Sequence, residues 1–249
     1  MSFEDLGSLR IKFSGDDLAC LWLGFERAEN MNVMREKLSQ WEYLKQMPDE
    51  ISGFIKKLPE TFEVDGTCVP IFTYVLPSKY CRIEGYFDQS TDDFMVHCFI
   101  GLHVFHDIRF ICKKLEEFQG RLESFLEPVL CGLVPDTLRI PTFFVNKKKL
   151  VDWQPMELAN ELHGFSLFIK PPYFLQTING AVVVIDYSDF SGGHQWVLYF
   201  NGLRDEFYAE QRLNGVLERI STFDCKGLED LDALLPEIEN TLRELRSRV

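Results

Sequence analysis

Positive charge is scarce in this chain. Lysine and arginine number 26 against 39 aspartates and glutamates, which leaves a formal net charge of −13 and a pI near 4.9. A field of that sign repels nucleic-acid phosphate and anionic lipid heads, so neither nucleic acid nor a membrane surface is expected as a partner. A basic protein would be attracted, and its encounter sped up. Long apolar runs are also missing, and nothing approaches the ~18 residues needed to span a bilayer. The opening MSFEDLGSLRIKF carries acids where a signal peptide would carry an apolar stretch. Paired cysteine motifs are lacking too. Cys20, Cys68, Cys81, Cys98, Cys112, Cys131 and Cys225 form an odd set with no C-x-x-C, mostly inside apolar segments. That pattern argues against a disulfide framework or a zinc cage and points to reduced thiols in the cytoplasm.

What the chain has in quantity is aromatic surface. Phe alone contributes 22 residues, and 46% of the sequence is hydrophobic, enough for globular cores filled by large rigid side chains.

The chain also repeats itself. Tyr199 to Leu231, shifted by 113 residues, falls on Tyr86 to Phe118. Tyr86/Tyr199, Phe87/Phe200, Asp92/Asp205, Phe94/Phe207, Phe110/Phe223, Cys112/Cys225, Lys113/Lys226, Leu115/Leu228 and Glu116/Glu229 coincide without a gap. Upstream, Phe54-Ile55-Lys56 meets Phe168-Ile169-Lys170 at an offset of 114, and the turn dipeptides Asp65-Gly66 and Asn179-Gly180 meet at the same offset. Leu9-Arg10-Ile11 and Leu138-Arg139-Ile140 form a fainter echo. The expected fold is therefore α+β, a tandem duplication of an antiparallel-sheet domain. Each copy reads as helix, three to four strands, helix. The copies are 1–134, with an extra N-terminal segment, and 135–249, joined near Cys131 to Asp136.

Periodicity supplies the elements. Asn32 opens a helix with Val33, Met34, Leu38, Trp41 and Leu44 on one face, ending near Pro48. Pro155 to Leu162 is the corresponding candidate in the second copy. Strands are expected at Cys68 to Leu76 and Ala181 to Tyr187. Phe94, Val96, Cys98, Ile100, Leu102 and Val104 alternate as one core face of a single strand. Its other face, Met95, His97, Phe99, Gly101, His103 and Phe105, is apolar and should be covered. The second copy's Tyr208, Glu210, Arg212 and Asn214 should face solvent. The closing helices carry stripes at Leu115, Phe118, Leu122, Phe125, Leu126 and Val129, and at Leu228, Leu231, Leu235, Ile238, Leu242 and Leu245. Asp224 suits the second as an N-cap, and Pro236 should break it.

Four constellations bear on chemistry. On one strand His97 and His103 would lie roughly 20 Å apart, with His106 on the opposite face, too far for a common ion. Cys112 and Cys225, each beside a Lys at a helix start, have the setting of a reactive thiol but lack a neighbouring base. Ser191, His194 and Asp186 or Asp189 are the ingredients of a triad crowded into one hairpin, where triad geometry is rarely reached. Asp92-Asp93 and Asp205-Glu206 recur at one turn, where adjacent acids are ordinarily solvated. No cofactor, no metal and no catalytic residue are expected.

The reading is a cytosolic, non-enzymatic protein that binds a protein partner, a basic one by charge. Immunity proteins and secretion chaperones have this general character, with no motif behind the comparison. The alternative is a small-molecule binder or hydrolase with its site in the cleft between the copies. Under either reading the candidate binding residues are His194, Trp196, Tyr199, Tyr208, Glu210 and Arg212, since function should lie where the copies differ.

Overall fold

The computed structural model describes residues 32–62, 67–134, 148–176 and 181–249. The Leu9–Ile11 and Leu138–Ile140 echoes, Cys20, and the Asp65-Gly66 and Asn179-Gly180 turns lie outside them. The described fold is α+β with two antiparallel sheets. A helix at 32–39 (α1) and a short helix Tyr43–Gln46 (α2) precede the first sheet. That sheet runs in simple sequence order: β1 Glu50–Ile51, β2 Phe54–Lys57, β3 Cys68–Leu76, β4 Cys81–Asp88, β5 Asp93–Ile100 and β6 His103–His106. Helix α3, Leu115–Gly132, follows. The second sheet contains β7 Glu161–Leu162, β8 Phe165–Ile169, β9 Leu175–Gln176, β10 Ala181–Asp189, β11 His194–Asn201, β12 Glu206–Leu213 and β13 Val216–Cys225. Its order is β13-β12-β11-β10-β8-β7, with β9 also on β10. Helices α4, Leu228–Leu234, and α5, Glu237–Ser247, close the chain with Pro236 between them, so the expected break is present. Among the described residues no helix is long and apolar enough to cross a membrane.

Both expected helical stripes are buried. Phe118, Leu122, Leu126 and Val129 of α3 pack on Phe72, Phe94, Val96 and Cys98 of the first sheet. Leu231, Leu235, Ile238, Leu242 and Leu245 pack on Trp196, Leu198, Phe207 and Phe223 of the second. Each sheet thus has one face under helices.

The strand registers run in parallel. Cys68↔Asp88 corresponds to Ala181↔Asn201, and Leu76↔Cys81 to Asp189↔His194, each partner 113 residues on. Both β3/β4 and β10/β11 are interrupted at the same step, between Pro70/Phe72 and between Val183/Ile185. Phe94↔Cys112 corresponds likewise to Phe207↔Cys225. Upstream the Phe-Ile-Lys correspondence is corrected. Glu50↔Ile55 and Ile51↔Phe54 match Glu161↔Ser166 and Leu162↔Phe165, an offset of 111. The shared signature is Glu-Ile/Leu-x-Gly-Phe. Its turn residues Ser52-Gly53 and His163-Gly164 all have positive φ, the geometry of a type I′ hairpin. Phe54 therefore corresponds to Phe165, not Phe168, and both are fully buried.

Other expectations are corrected as well. The Phe94–Val104 alternation is not one strand, because the chain reverses at Gly101-Leu102 and returns as β6. Pro155 to Leu162 is not helical and ends in β7. Gly227, not Asp224, precedes α4, and Asp224 instead pairs with Arg219 at 3.1 Å. Cys131 and Gly132, assigned to the linker, are the last residues of α3. The N-terminal helical stripe is split, with Leu38 and Leu44 buried in separate helices and Val33 exposed.

The second face of the second sheet is not left to solvent as expected. Val183, Val197 and Tyr199, on the non-helical face of the second sheet, belong to the first half's core. The apolar residues of β10 and β11 outweigh Glu210 and Arg212 on β12 and draw that face inward. β10 is buried along its whole length, as a strand covered on both faces should be. On the first sheet, Val75, Met95, Phe99 and Val104 share the second face, and among the described residues neither core includes them.

Candidate functional site

The six sequence-derived candidates separate. Trp196 is fully buried on the helical face, where it meets Phe223 edge-on at 5.0 Å. It is core. His194 is buried at the end of β11 beside the Asp189 carboxylate, against Gly192. Tyr199, Tyr208, Glu210 and Arg212 share the opposite face, where Tyr199 and Tyr208 stack at 5.1 Å. Burial raises the Glu210 pKa, opposed by Arg219 and Arg212, and burial followed by the Glu210 charge raises that of Tyr199.

That face meets the first half through a buried polar network. His103 Nε2 lies 2.9 Å from Asp186 Oδ2, to which Gln195 Nε2 donates at 2.8 Å, while Ser188 Oγ donates to Asp186 Oδ1 at 2.7 Å. Asp186 is fully buried. Beside it, Tyr80 stacks on Phe190 at 3.7 Å, and Phe168 meets Phe190 edge-on. These contacts bind the halves together. A cleft of 350 Å³ opens next to them, lined by Val75, Pro77, Tyr80, Cys81, Arg82, Gly101, Leu102 and Phe190. None of the six candidates lines it. A second cleft, of 460 Å³, lies between the 151–160 loop and Lys170 to Pro172.

The supposed triad is a turn. Asp189 Oδ1 accepts from Ser191 Oγ at 2.6 Å and from the amides of Ser191 and Gly192 at 3.1 Å, and its Oδ2 accepts from Arg246 at 2.9 Å. Burial opposes ionisation of Asp189, but these hydrogen bonds prevail and hold its pKa at about 2. With an unfolded value near 4, the pair stabilises the fold fully above that pH and loses its contribution as pH falls toward 2. Asp189→Asn should therefore cost stability at pH 6, and its difference from wild type should shrink between pH 4 and pH 2 in urea unfolding.

The reactive-thiol setting is not realised either. Burial pushes Cys112 and Cys225 up to about 11 each. Each thiol donates two residues ahead, to the carbonyls of Lys114 and Gly227. Iodoacetamide at pH 8 should modify the exposed Cys131 well before either, as peptide mass mapping over time would show.

The outward face of the first sheet carries a side-chain cluster that the sequence reading kept apart. Reversal at Gly101-Leu102 sets His106 directly opposite His97, with ring centroids 4.1 Å apart. Tyr86 Oη stands 3.0 Å from His97 Nε2, 2.6 Å from His106 Nε2 and 3.3 Å from Met95 Sδ. Burial lowers the His97 pKa, aided by the neighbouring His106. Next to this cluster the Arg82 guanidinium lies over the Phe99 ring at 3.6 Å and pairs with Glu84 at 2.6 Å. Val75 and exposed Val104 complete the row. The Gly101-Leu102 dipeptide was the available signal, since a Gly inside an alternating run marks a bend.

Among the described residues no group of three or more His, Cys, Asp or Glu side chains is arranged to hold a metal ion. Searches against protein-family models, curated proteins and solved structures find no significant match to this chain.

Proposed function

We propose that this is a non-enzymatic, cytosolic protein that binds a protein partner through the outward face of its first sheet. The observation that carries the reading is the unequal use of two similar sheets. The second sheet's free face is taken up in packing the halves together. The first sheet's free face keeps Met95, Phe99 and Val104 outside both described cores, with Arg82 laid over Phe99. Aromatic and Arg residues on a partly apolar patch have the composition of an interface centre. The net charge of −13 favours a basic partner.

The test is affinity isolation from native cells at low and moderate salt, comparing wild type with Phe99→Glu. The reading expects one partner held by wild type and lost from the variant. A partner recovered equally by both, or none at either salt, would count against it.

The two halves are further proposed to be copies of one ancestral domain, at 1–134 and 135–249. Supporting this are paired registers displaced by a constant 113 residues through four strands, and the shared bulge. Superposition of residues 68–112 on 181–225 in an experimental structure is the check. A second functional reading, small-molecule binding between the halves, is favoured by the 350 Å³ cleft beside Tyr80 and Phe190.

A further inference from the structure

We propose that Met95, His97 and His106 form a binding site for a soft monovalent metal ion, copper(I), on the outward face of the first sheet. The site follows from the fold of one hairpin. β5 and β6 pair so that His97 and His106 are cross-strand neighbours, and Met95 lies two residues before His97 on the same face. Two imidazole nitrogens and a thioether sulfur converge on a single atom-sized position, now held by the Tyr86 hydroxyl, at 2.6, 3.0 and 3.3 Å. Metal–nitrogen bonds of ~2 Å need each donor to close in by less than about 1 Å, with the phenol tilting aside.

The donor set selects the ion. A thioether is a poor ligand for hard cations and a good one for copper(I), and imidazole suits copper in either state. Neutral imidazoles are required, and the Nε2 atoms of both rings already face the one position. The single Tyr86 hydroxyl proton cannot serve both rings, so at least one ring holds its proton on Nε2; metal binding there shifts that proton to Nδ1 through solvent, with no net loss from a neutral ring. No redox step is involved, because the metal enters already monovalent. Around the site Glu84, opposite His97 on β4, is offset by its ion pair with Arg82, which leaves Asp88 as the nearby charge favourable to a cation.

Folding alone does not call for these three donors. At the matching register of the second sheet the tyrosine is kept, as Tyr199, while the three donors are replaced by Tyr208, Glu210 and Arg219. There Arg219 lies over the Tyr208 ring at 5.1 Å, a wholly different use of the same scaffold. The simpler account is a Tyr86 hydroxyl held between two histidines with no metal role, and it predicts a different titration.

The experiment uses the full chain labelled with ¹³C-methyl methionine, its accessible thiols blocked with N-ethylmaleimide. It is titrated anaerobically with the acetonitrile complex of copper(I), and in parallel with zinc(II). The expected result is a shift of the Met95 methyl, identified by its loss in Met95→Leu, that saturates at one equivalent of copper and is absent with zinc. His106→Ala should need at least roughly tenfold more copper for the same shift. Met95→Leu is volume-conserving and His106 lies at an exposed strand end, so thermal melts should show both variants folded. A Met95 methyl that stays fixed while copper binds elsewhere, or that titrates identically in His106→Ala, would overturn the proposal.

Discussion

Replacing Asp186 by alanine should lower the unfolding free energy by about 3–5 kcal/mol, the usual cost of removing one partner from a buried charged network. Asp186 is wholly buried and is met by His103, Gln195 and Ser188. Its removal strands the Gln195 amide and the His103 ring, both buried, without the carboxylate they share. His103→Ala should be costly for the complementary reason, since it leaves the carboxylate with two neutral donors. The two effects should not add. A double-mutant cycle in urea should return a coupling of about 1–3 kcal/mol, as expected for groups in one network. Because His103 lies in the first half and Asp186 in the second, a large coupling would also show that the halves unfold together. Independent, additive losses would mean that the network does not join them.

Gly85→Leu should be similarly destabilising, and a second substitution should reverse it. Gly85 faces Phe72 across the β3/β4 pair, and a Cβ at residue 85 would lie only 2.3 Å from the Cε1 atom of the Phe72 ring. Evicting that buried ring should cost about 3–5 kcal/mol. The second sheet solves the same position differently, with Ile185 opposite Leu198, both fully buried. One half fills the layer with a large residue and nothing, the other with two of middle size. The pair Phe72→Ile/Gly85→Leu should therefore recover stability to within about 1.5 kcal/mol of wild type, as volume-conserving core changes do. Thermal or urea unfolding of the single and double variants decides it. A double variant no better than Gly85→Leu would mean that the two layers are not equivalent.

Much of this fold was legible in the sequence. The helical stripes of α3, α4 and α5 were clear because each is long and periodic, and the Tyr-Phe-Asp/Asn strand ends repeat without a gap. The errors came from short segments. Three coincident letters, Phe-Ile-Lys, outweighed the hairpin signature Glu-Ile/Leu-x-Gly-Phe, although only the latter has a turn-forming reason for its glycine. The alternation from Phe94 to Val104 ran on through a two-residue reversal, since Gly101-Leu102 lacks the Asn-Gly form seen at Asn214-Gly215. That single misreading separated His97 from His106 and hid the cluster they form with Tyr86. Which sheet face is covered depends on all its strands together. Reading it from β12 alone made Glu210 and Arg212 decisive, whereas Val183 and Val197 on the neighbouring strands are what the first half packs against.

The outward face of the first sheet is the centre of the functional account, and Phe99 sits in its middle beneath Arg82. The most direct test is calorimetric titration of the isolated partner into wild-type protein and into Phe99→Glu at one salt concentration. The account predicts binding weakened at least about 30-fold, the loss expected of an interface anchor, with the melting temperature of the variant unchanged. An unchanged Kd in a folded Phe99→Glu protein would contradict it.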